Sequence, residues 1–282
     1  MPDLASTTPL VSPDRVQQHI GDPGVRIVEV DFDRAAYEQG HIPGALAWDW
    51  GTQLSDGVRR DLASREALSE LLSDSGVGPA THVVLYGEDN WYAAWAFWQL
   101  GLYGVDKVSL IDGGRRYWLE HALPLSTDVP DHPRTTIELP QPDFSTRAFL
   151  RDVEARLDES GFTPVDVRLP LEFNGEATSP PGYPDIAQRA GHIPGAVSVP
   201  WEGALNEDGR FKSADELRAH YAAKGVTGDQ DIVTYCGVGV RSSHSWFVLH
   251  ELLGFGSVRN YDGSWAEWGS VTGVPIENPS AG

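Results

Sequence analysis

The sequence predicts an α/β protein made of two tandem domains, each a mostly parallel sheet flanked by helices. Three observations carry that prediction. The first is an internal repeat: Gly40-His41-Ile42-Pro43-Gly44-Ala45 recurs as Gly191-His192-Ile193-Pro194-Gly195-Ala196, 151 residues on. Asp112-Gly113 and Trp118 recur as Asp262-Gly263 and Trp268 at an offset of 150, and 83–87 matches 232–236 at 149. Correspondences held in register over so long a span mark a duplicated domain. The second observation is that short β-rich runs alternate with helical patterns in both halves, the order that yields parallel strands joined by helical crossovers. The third is the stretch 125–145, which holds Pro130, Pro133, Pro140 and Pro142. Neither a continuous helix nor a central strand tolerates that spacing. It reads as a linker between a domain over 1–124 and another over 146–282.

In the first domain 26–32, 45–48, 82–86 and 107–111 read as strands, with helices near 64–73, 91–100 and 114–121. In the second, the strands are 164–168, 196–199, 231–235 and 257–261, and the helices lie near 146–158, 213–223, 241–253 and 264–268. The halves differ in two places. Aligning Val28-Glu29-Val30 with Val165-Asp166-Val167 gives an offset of 137, so the second half carries about 14 extra residues within 174–190. Where the first half has Gly87, the second has Cys236. One half reads as functional and the other as supporting.

Composition narrows the function. The 282 residues carry 41 acidic and 21 basic side chains, a formal charge of −20, and 40% are hydrophobic, enough for a sizeable core. Such a balance argues against a nucleic-acid backbone or an anionic membrane as partner. It suits a cytosol of high ionic strength, where salt screens the self-repulsion. Cys236 is the only cysteine, which excludes an intramolecular disulfide framework and a multi-cysteine metal centre. No basic start followed by an apolar run is present, and no apolar run approaches the ~18 residues of a membrane span. A cytoplasmic location is the expectation.

The chemistry concentrates in Cys236-Gly237-Val238-Gly239-Val240-Arg241-Ser242-Ser243, placed where a buried strand meets a helix expected to be amphipathic. Backbone N–H groups in a glycine-containing turn entering a helix converge, and the helix dipole adds positive potential. A cysteine there is a nucleophile rather than an inert core thiol. Gly237 and Gly239 permit the tight curvature that such a cradle needs. Ser242 and Ser243 are placed either to donate to the sulfur or to cap the helix.

With these residues the chain resembles the tandem-domain rhodanese family of sulfurtransferases. The resemblance rests on the repeated His-Ile-Pro-Gly-Ala, Asp166-Val167-Arg168 followed by Glu172-Phe173, the Cys236 loop, and Asp262-Gly263-Ser264-Trp265. It implies five-stranded, mostly parallel sheets, a non-catalytic first domain and a catalytic second. It also implies a ping-pong reaction in which Cys236 takes sulfane sulfur from thiosulfate as a persulfide and passes it to a thiophile, such as cyanide or a thiol. No cofactor or metal is expected. The loop's third position, lysine in thiosulfate-specific members and serine in 3-mercaptopyruvate users, is Val238 here. Glu172 stands where many members carry an arginine. Arg241 and Arg189 are the arginines expected to meet an anionic donor.

Other residues read as structural. His41 and His192 occur in both halves and suit a turn; Asp112 and Asp262 suit helix caps; Arg168 and Glu172 suit an internal ion pair. Two rivals remain. A phosphatase or arsenate reductase of related fold places arginine six residues after cysteine, whereas Arg241 is five after Cys236, a smaller cradle that suits one sulfur atom. A persulfide carrier, loaded by a dedicated protein partner, would use the same cysteine.

Overall fold

Each half of the repeat folds around one parallel sheet. The computed structural model describes residues 8–281. It divides into one unit of Met1–Asp143 with Asn206–Phe211 and a second of Phe144–Leu205 with Lys212–Gly282.

The first unit runs β1 (Leu10–Val11), α1 (Pro13–Gln18), β2 (Val25–Asp31), α2 (Ala35–Gln39), β3 (Leu46–Asp49), a small antiparallel hairpin of β4 (Ser55–Asp56) and β5 (Asp61–Leu62), α3 (Arg65–Asp74), β6 (His82–Tyr86), α4 (Trp91–Leu102), β7 (Val108–Ile111) and α5 (Gly114–Glu120). Its sheet has the order β1-β7-β6-β2-β3, every pair parallel. Central β6 is buried throughout, which explains its apolar run Val83-Val84-Leu85, and the buried His82 ring bonds the Ser109 hydroxyl. The short β1 and α1 escape a search for long periodic runs, although Ser12 accepting from the Arg15 N–H and Pro13 opening the helix make an orthodox start.

The proline-rich stretch is more than a tether. Ser69 and Ser73 of α3 turn their hydroxyls back onto the helix carbonyls of Arg65 and Ser69, and their oxygens accept the N–H groups of Leu139 and Ile137. Thr135 adds bonds to the Ser73 and Val77 carbonyls. A chain whose prolines forbid a ladder thus finds its partners on the side of a helix.

The second unit runs α6 (Leu150–Glu154), β8 (Phe162–Asp166), α7 (Pro170–Phe173), β9 (Val197–Ser198), a 3₁₀ turn (Trp201–Ala204), α8 (Ala214–Ala222), β10 (Asp231–Tyr235), α9 (Val240–Phe247), a π turn (Val248–Leu252), β11 (Val258–Asn260) and α10 (Ser264–Trp268). Its parallel sheet has the order β11-β10-β8-β9. The expected fifth strand is reduced to one parallel bridge, Arg147 to Asn260. There the Ala148 N–H reaches the Asn260 carbonyl and the Asn260 N–H reaches that of Thr146, both at 2.9 Å. Because 146–148 are extended, the helix expected over 146–158 shrinks to α6, entered where the Phe149 N–H donates to Asp152.

The two His-Ile-Pro-Gly-Ala turns are built alike. His41 stacks on Tyr37 and His192 on Phe173, each with ring centroids 3.7 Å apart. Each histidine also pairs antiparallel with a later strand-like residue, Ser126 or Glu277. The next residue, Ile42 or Ile193, donates its N–H to the hydroxyl of Tyr86 or Tyr235 at 3.1 Å. These histidines serve the turn.

Beneath each turn lies a buried ion pair, supplied differently in the two halves. In the first, Arg115 of α5 donates to both oxygens of Glu29 and to the Gly40 carbonyl. In the second, Asp166 holds the position of Glu29, but its partner is Arg168, two residues on, which also reaches the Gly191 carbonyl. The position of Arg115 is taken by Trp265, whose ring lies 4.5 Å from the Arg168 guanidinium carbon. Arg168 therefore pairs with Asp166, and the pairing with Glu172 expected from sequence does not form. Among the described residues, no helix is long and apolar enough to cross a membrane.

Candidate active site

Strand β10 delivers Cys236 to its C-terminal end, fully buried, and the chain then turns through Gly237, Val238 and Gly239 into α9. Gly239 has φ +95, and a Cβ there would lie 2.7 Å from the Asp262 carbonyl oxygen, so no other residue fits. That conformation brings the Gly239 N–H to 3.2 Å from Cys236 Sγ. Among the described residues, the N–H groups of Gly237, Val238, Val240, Arg241 and Ser242 meet no acceptor. Buried amides are nearly always paired, so this set, with the N-terminal dipole of α9, can serve as donors to an anion beside the loop.

The outer side of the loop is held from α10. The N–H groups of Trp265 and Ala266 bind the carbonyls of Cys236 and Gly237 at 2.9 Å. Ser264, buried and at φ +53, accepts the Cys236 N–H at 3.1 Å and donates to the Tyr261 carbonyl at 2.7 Å. Its left-handed backbone costs energy in a residue other than glycine and places the hydroxyl under the cysteine. The sequence held a hint, since the matching position in the first half is Gly114, at φ +55.

The inner side is held by β11. Ser242 and Ser243 both donate to the Gly239 carbonyl, at 2.9 and 2.7 Å. Asn260 completes the lock, with Oδ1 2.7 Å from Ser242 Oγ and Nδ2 donating to Ser243 Oγ at 2.9 Å. The serines thus fasten the loop to the sheet and do not face the sulfur. All eight residues of α9 are buried; the expected amphipathic helix is covered on every face, and Arg241, Ser242 and Ser243 bond within the protein. His244 is among them, edge-on to Trp201, and burial pushes its pKa down to about 3.

The arginines take places other than those expected. Arg241 does end the loop, but its Nη1 and Nη2 close on the two oxygens of Glu172 at 2.8 and 2.9 Å. Burial opposes its charge, yet the Glu172 hydrogen bonds and the fields of Cys236 and Glu172 outweigh that, so it is held more firmly protonated than an ordinary arginine. The edge that would grip an anionic donor is already closed on a carboxylate. Arg189 is a clearer correction. Its guanidinium donates to the carbonyls of Gly269, Val274, Trp268 and Val271, which pins the C-terminal end of α10 in place of a substrate. Asp262 is no helix cap either; it receives Arg147 Nε and Nη2 at 2.9 Å. Asp112 likewise accepts the Phe211 N–H.

The extra residues of the second half lie against the loop. A Cβ on Gly237 would come within 2.9 Å of Ile186 Cδ1. The segment is closed by Thr178 on Asp185 and Ser179 on the Pro184 carbonyl. It is tied to α10 by the Trp265 indole on the Arg189 carbonyl.

Comparison with known proteins agrees with this architecture. The family model of the rhodanese-like domain matches residues 12–121 and again 150–270. A protein of Haloferax volcanii named "Putative thiosulfate sulfurtransferase" is 46% identical over 274 residues, covering 95% of this chain and 96% of its own. The sulfur carrier protein TtuD of Thermus thermophilus is 51% identical over 272 residues, covering 95% of each. Among solved structures, the 3-mercaptopyruvate sulfotransferase SseA of Escherichia coli superposes with a TM-score of 0.79 at 30% identity, covering 92% of this chain and 99% of that one.

Proposed function

Because the chain belongs to the rhodanese family, with two tandem rhodanese-like domains, we propose that it moves sulfane sulfur through a persulfide on Cys236, with thiosulfate as a donor. What supports this is the Cys236 loop: the sulfur is contacted by the Gly239 N–H, and the N–H groups of Gly237, Val238, Val240, Arg241 and Ser242 meet no acceptor among the described residues. In the first half-reaction the Cys236 thiolate attacks the outer sulfur of thiosulfate. The S–S bond breaks and sulfite leaves with its electron pair. The resulting persulfide anion rests against the loop amides, preorganised hydrogen-bond donors that need no rearrangement as charge arrives. In the second half-reaction a thiophile attacks the outer sulfur and Cys236 is released as thiolate. With no second cysteine in the chain, that acceptor comes from outside: cyanide, a small thiol or a sulfur-accepting protein.

Val238 supports thiosulfate over 3-mercaptopyruvate, since it offers no hydroxyl at the loop's third position. The kinship with TtuD favours a second reading, in which Cys236 is loaded by a partner protein and delivers its sulfur to another. The discriminating assay follows thiocyanate formation from cyanide with each donor, for the wild type and Cys236→Ser. The expected outcome is turnover with thiosulfate, slower turnover with 3-mercaptopyruvate, and none from Cys236→Ser. Equal rates from the two proteins would sink the mechanism. Loading only from a protein persulfide would favour the carrier, and hydrolysis of an aryl phosphate would favour a phosphatase.

A further inference from the structure

We infer that the Glu172–Arg241 pair sets the charge of the Cys236 cradle and thereby selects the class of sulfur donor. It favours singly charged sulfane-sulfur donors, hydropersulfides of the form R–S–S⁻, over the thiosulfate dianion. The inference rests on the sulfur-transfer reading above, in which thiosulfate remains a usable donor.

In the second unit the buried arginines are Arg147, Arg168 and Arg241, and each is matched by its own carboxylate: Asp262, Asp166 and Glu172. Arg241 is the one at the Cys236 loop, since a Cβ on Gly237 would lie 3.2 Å from its Nη2, and it feels the field of Cys236. Glu172 is fully buried and grips it with both oxygens. At the cradle the pair is therefore neutral. Arg189 retains its charge, but turns it onto four carbonyls at the far end of α10. Glu267, held by the Tyr261 hydroxyl and adjacent to Gly263, adds a negative group near the loop and no cation.

What remains to receive an anion is the set of loop amides and the partial charge at the start of α9. That suits one negative charge. Desolvation rises as the square of the charge, so a dianion costs about four times as much to bring in as a monoanion of equal size. Amides worth a fraction of a unit charge do not offset the difference. Family members with lysine at the loop's third position would meet the second charge there, and Val238 does not. The transfer from a hydropersulfide balances without any oxidant: a new S–S bond forms at Cys236 as the donor's S–S bond breaks, and RS⁻ leaves with the electron pair.

The test uses the wild type, Glu172→Gln, and Glu172→Gln/Arg241→Gln, in which the pair is neutral again. Two ratios are measured. One is the rate of Cys236 alkylation by anionic iodoacetate relative to neutral iodoacetamide, a readout of local potential that a merely structural role leaves unmoved. The other is persulfide loading, followed by mass, from thiosulfate relative to cysteine hydropersulfide and to a persulfide carried on a protein cysteine.

The wild type is expected to load faster from a hydropersulfide than from thiosulfate, and the two hydropersulfide arms separate a free donor from a protein-borne one. Glu172→Gln is expected to raise both ratios about tenfold, the scale of one unmasked charge close to the sulfur, and the double variant to bring them back. Faster wild-type loading from thiosulfate would overturn the inference, as would unmoved ratios in Glu172→Gln. The wild-type comparison stands even if the variants fail to fold. Failure of every donor to load would overturn the sulfur-transfer reading itself, while the alkylation ratios would still report on the pair.

Discussion

The two halves of the chain share a frame and differ at the loop that follows the central strand. After β10 the loop is open: Cys236, a left-handed Gly239 and amides without acceptors. After β6 it is closed on itself. Asn90 takes the left-handed position at φ +59, and its side chain accepts the Gly87 N–H at 3.1 Å while donating to the Ile111 carbonyl at 2.8 Å. A Cβ on Gly87 would lie 2.5 Å from the Val30 carbonyl oxygen. The helix that follows the next strand still reaches back in both halves, through the Arg115 N–H to Gly87 and the Trp265 N–H to Cys236. The first half is thus more than a domain lacking a cysteine. Its loop is tied by an amide side chain, which accepts the Gly87 N–H where Ser264 accepts the N–H of the matching Cys236.

That contrast can be broken from either side. The largest effect is expected from Gly239→Ala, because the added carbon meets the Asp262 backbone in a left-handed conformation. Loss of the loop's geometry should lower the rate of sulfur transfer roughly 100-fold, measured as thiocyanate formation. Gly87→Cys tests whether the first half lacks only its nucleophile. The side chain collides with Val30, so stability should fall by about 1–3 kcal/mol in urea unfolding, and mass spectrometry should find a single persulfide per chain. A second persulfide would refute the account of a filled loop.

Ser264 gives a smaller effect. Ser264→Ala removes the partner of the Cys236 N–H while leaving the left-handed strain, at a cost of about 1–3 kcal/mol. Ser264→Gly, the residue of the first half, relieves the strain and should cost less. Equal losses would show that the hydroxyl alone matters.

The remaining effects are differences in pH dependence. In the first half, burial and the charges of Glu29 and Glu88, opposed by the Glu88 N–H and Arg115, push the Asp31 carboxyl up to about 7. A raised carboxylate pKa means the folded state binds the proton first, so its penalty is full above pH 7 and relieved as pH falls towards 4. Asp31→Asn should therefore stabilise at pH 8 and do little at pH 4. His244 in the second half runs the other way. Its pKa of about 3, against 6.5 unfolded, means stability is full above 6.5 and lost as pH falls towards 3. His244→Phe should flatten that acid limb, as read from unfolding midpoints against pH.

Much of this was legible from residues alone. Repeat offsets located β6 and β10 to the residue, because both strands carry a β-branched, apolar centre ending in the same tyrosine. The Cys236 loop was legible because Cys-Gly-x-Gly between a strand and a helix admits few geometries. The partners of the arginines were not. Nothing in the order Arg168, Glu172, Arg189, Arg241 says that Arg168 turns back to Asp166, that Glu172 reaches across to Arg241, or that Arg189 meets only carbonyls. A long flexible side chain finds its partner in the folded state, and sequence separation carries no information about which. The extended 146–148 was missed for a related reason: its sole ladder partner, Asn260, is more than a hundred residues away.

Asn90 also ties the first loop to its neighbours. Its one side chain holds Gly87 and Ile111 at once, and Gly114 packs against it so closely that a Cβ would meet Asn90 Oδ1 at 2.7 Å. Reopening the first loop would require the Asn90 amide to leave, a side chain to fit where the Val30 carbonyl blocks it, and a replacement for Gly114. The three contacts hold one another, so the loop behaves as an interlock that no single substitution releases.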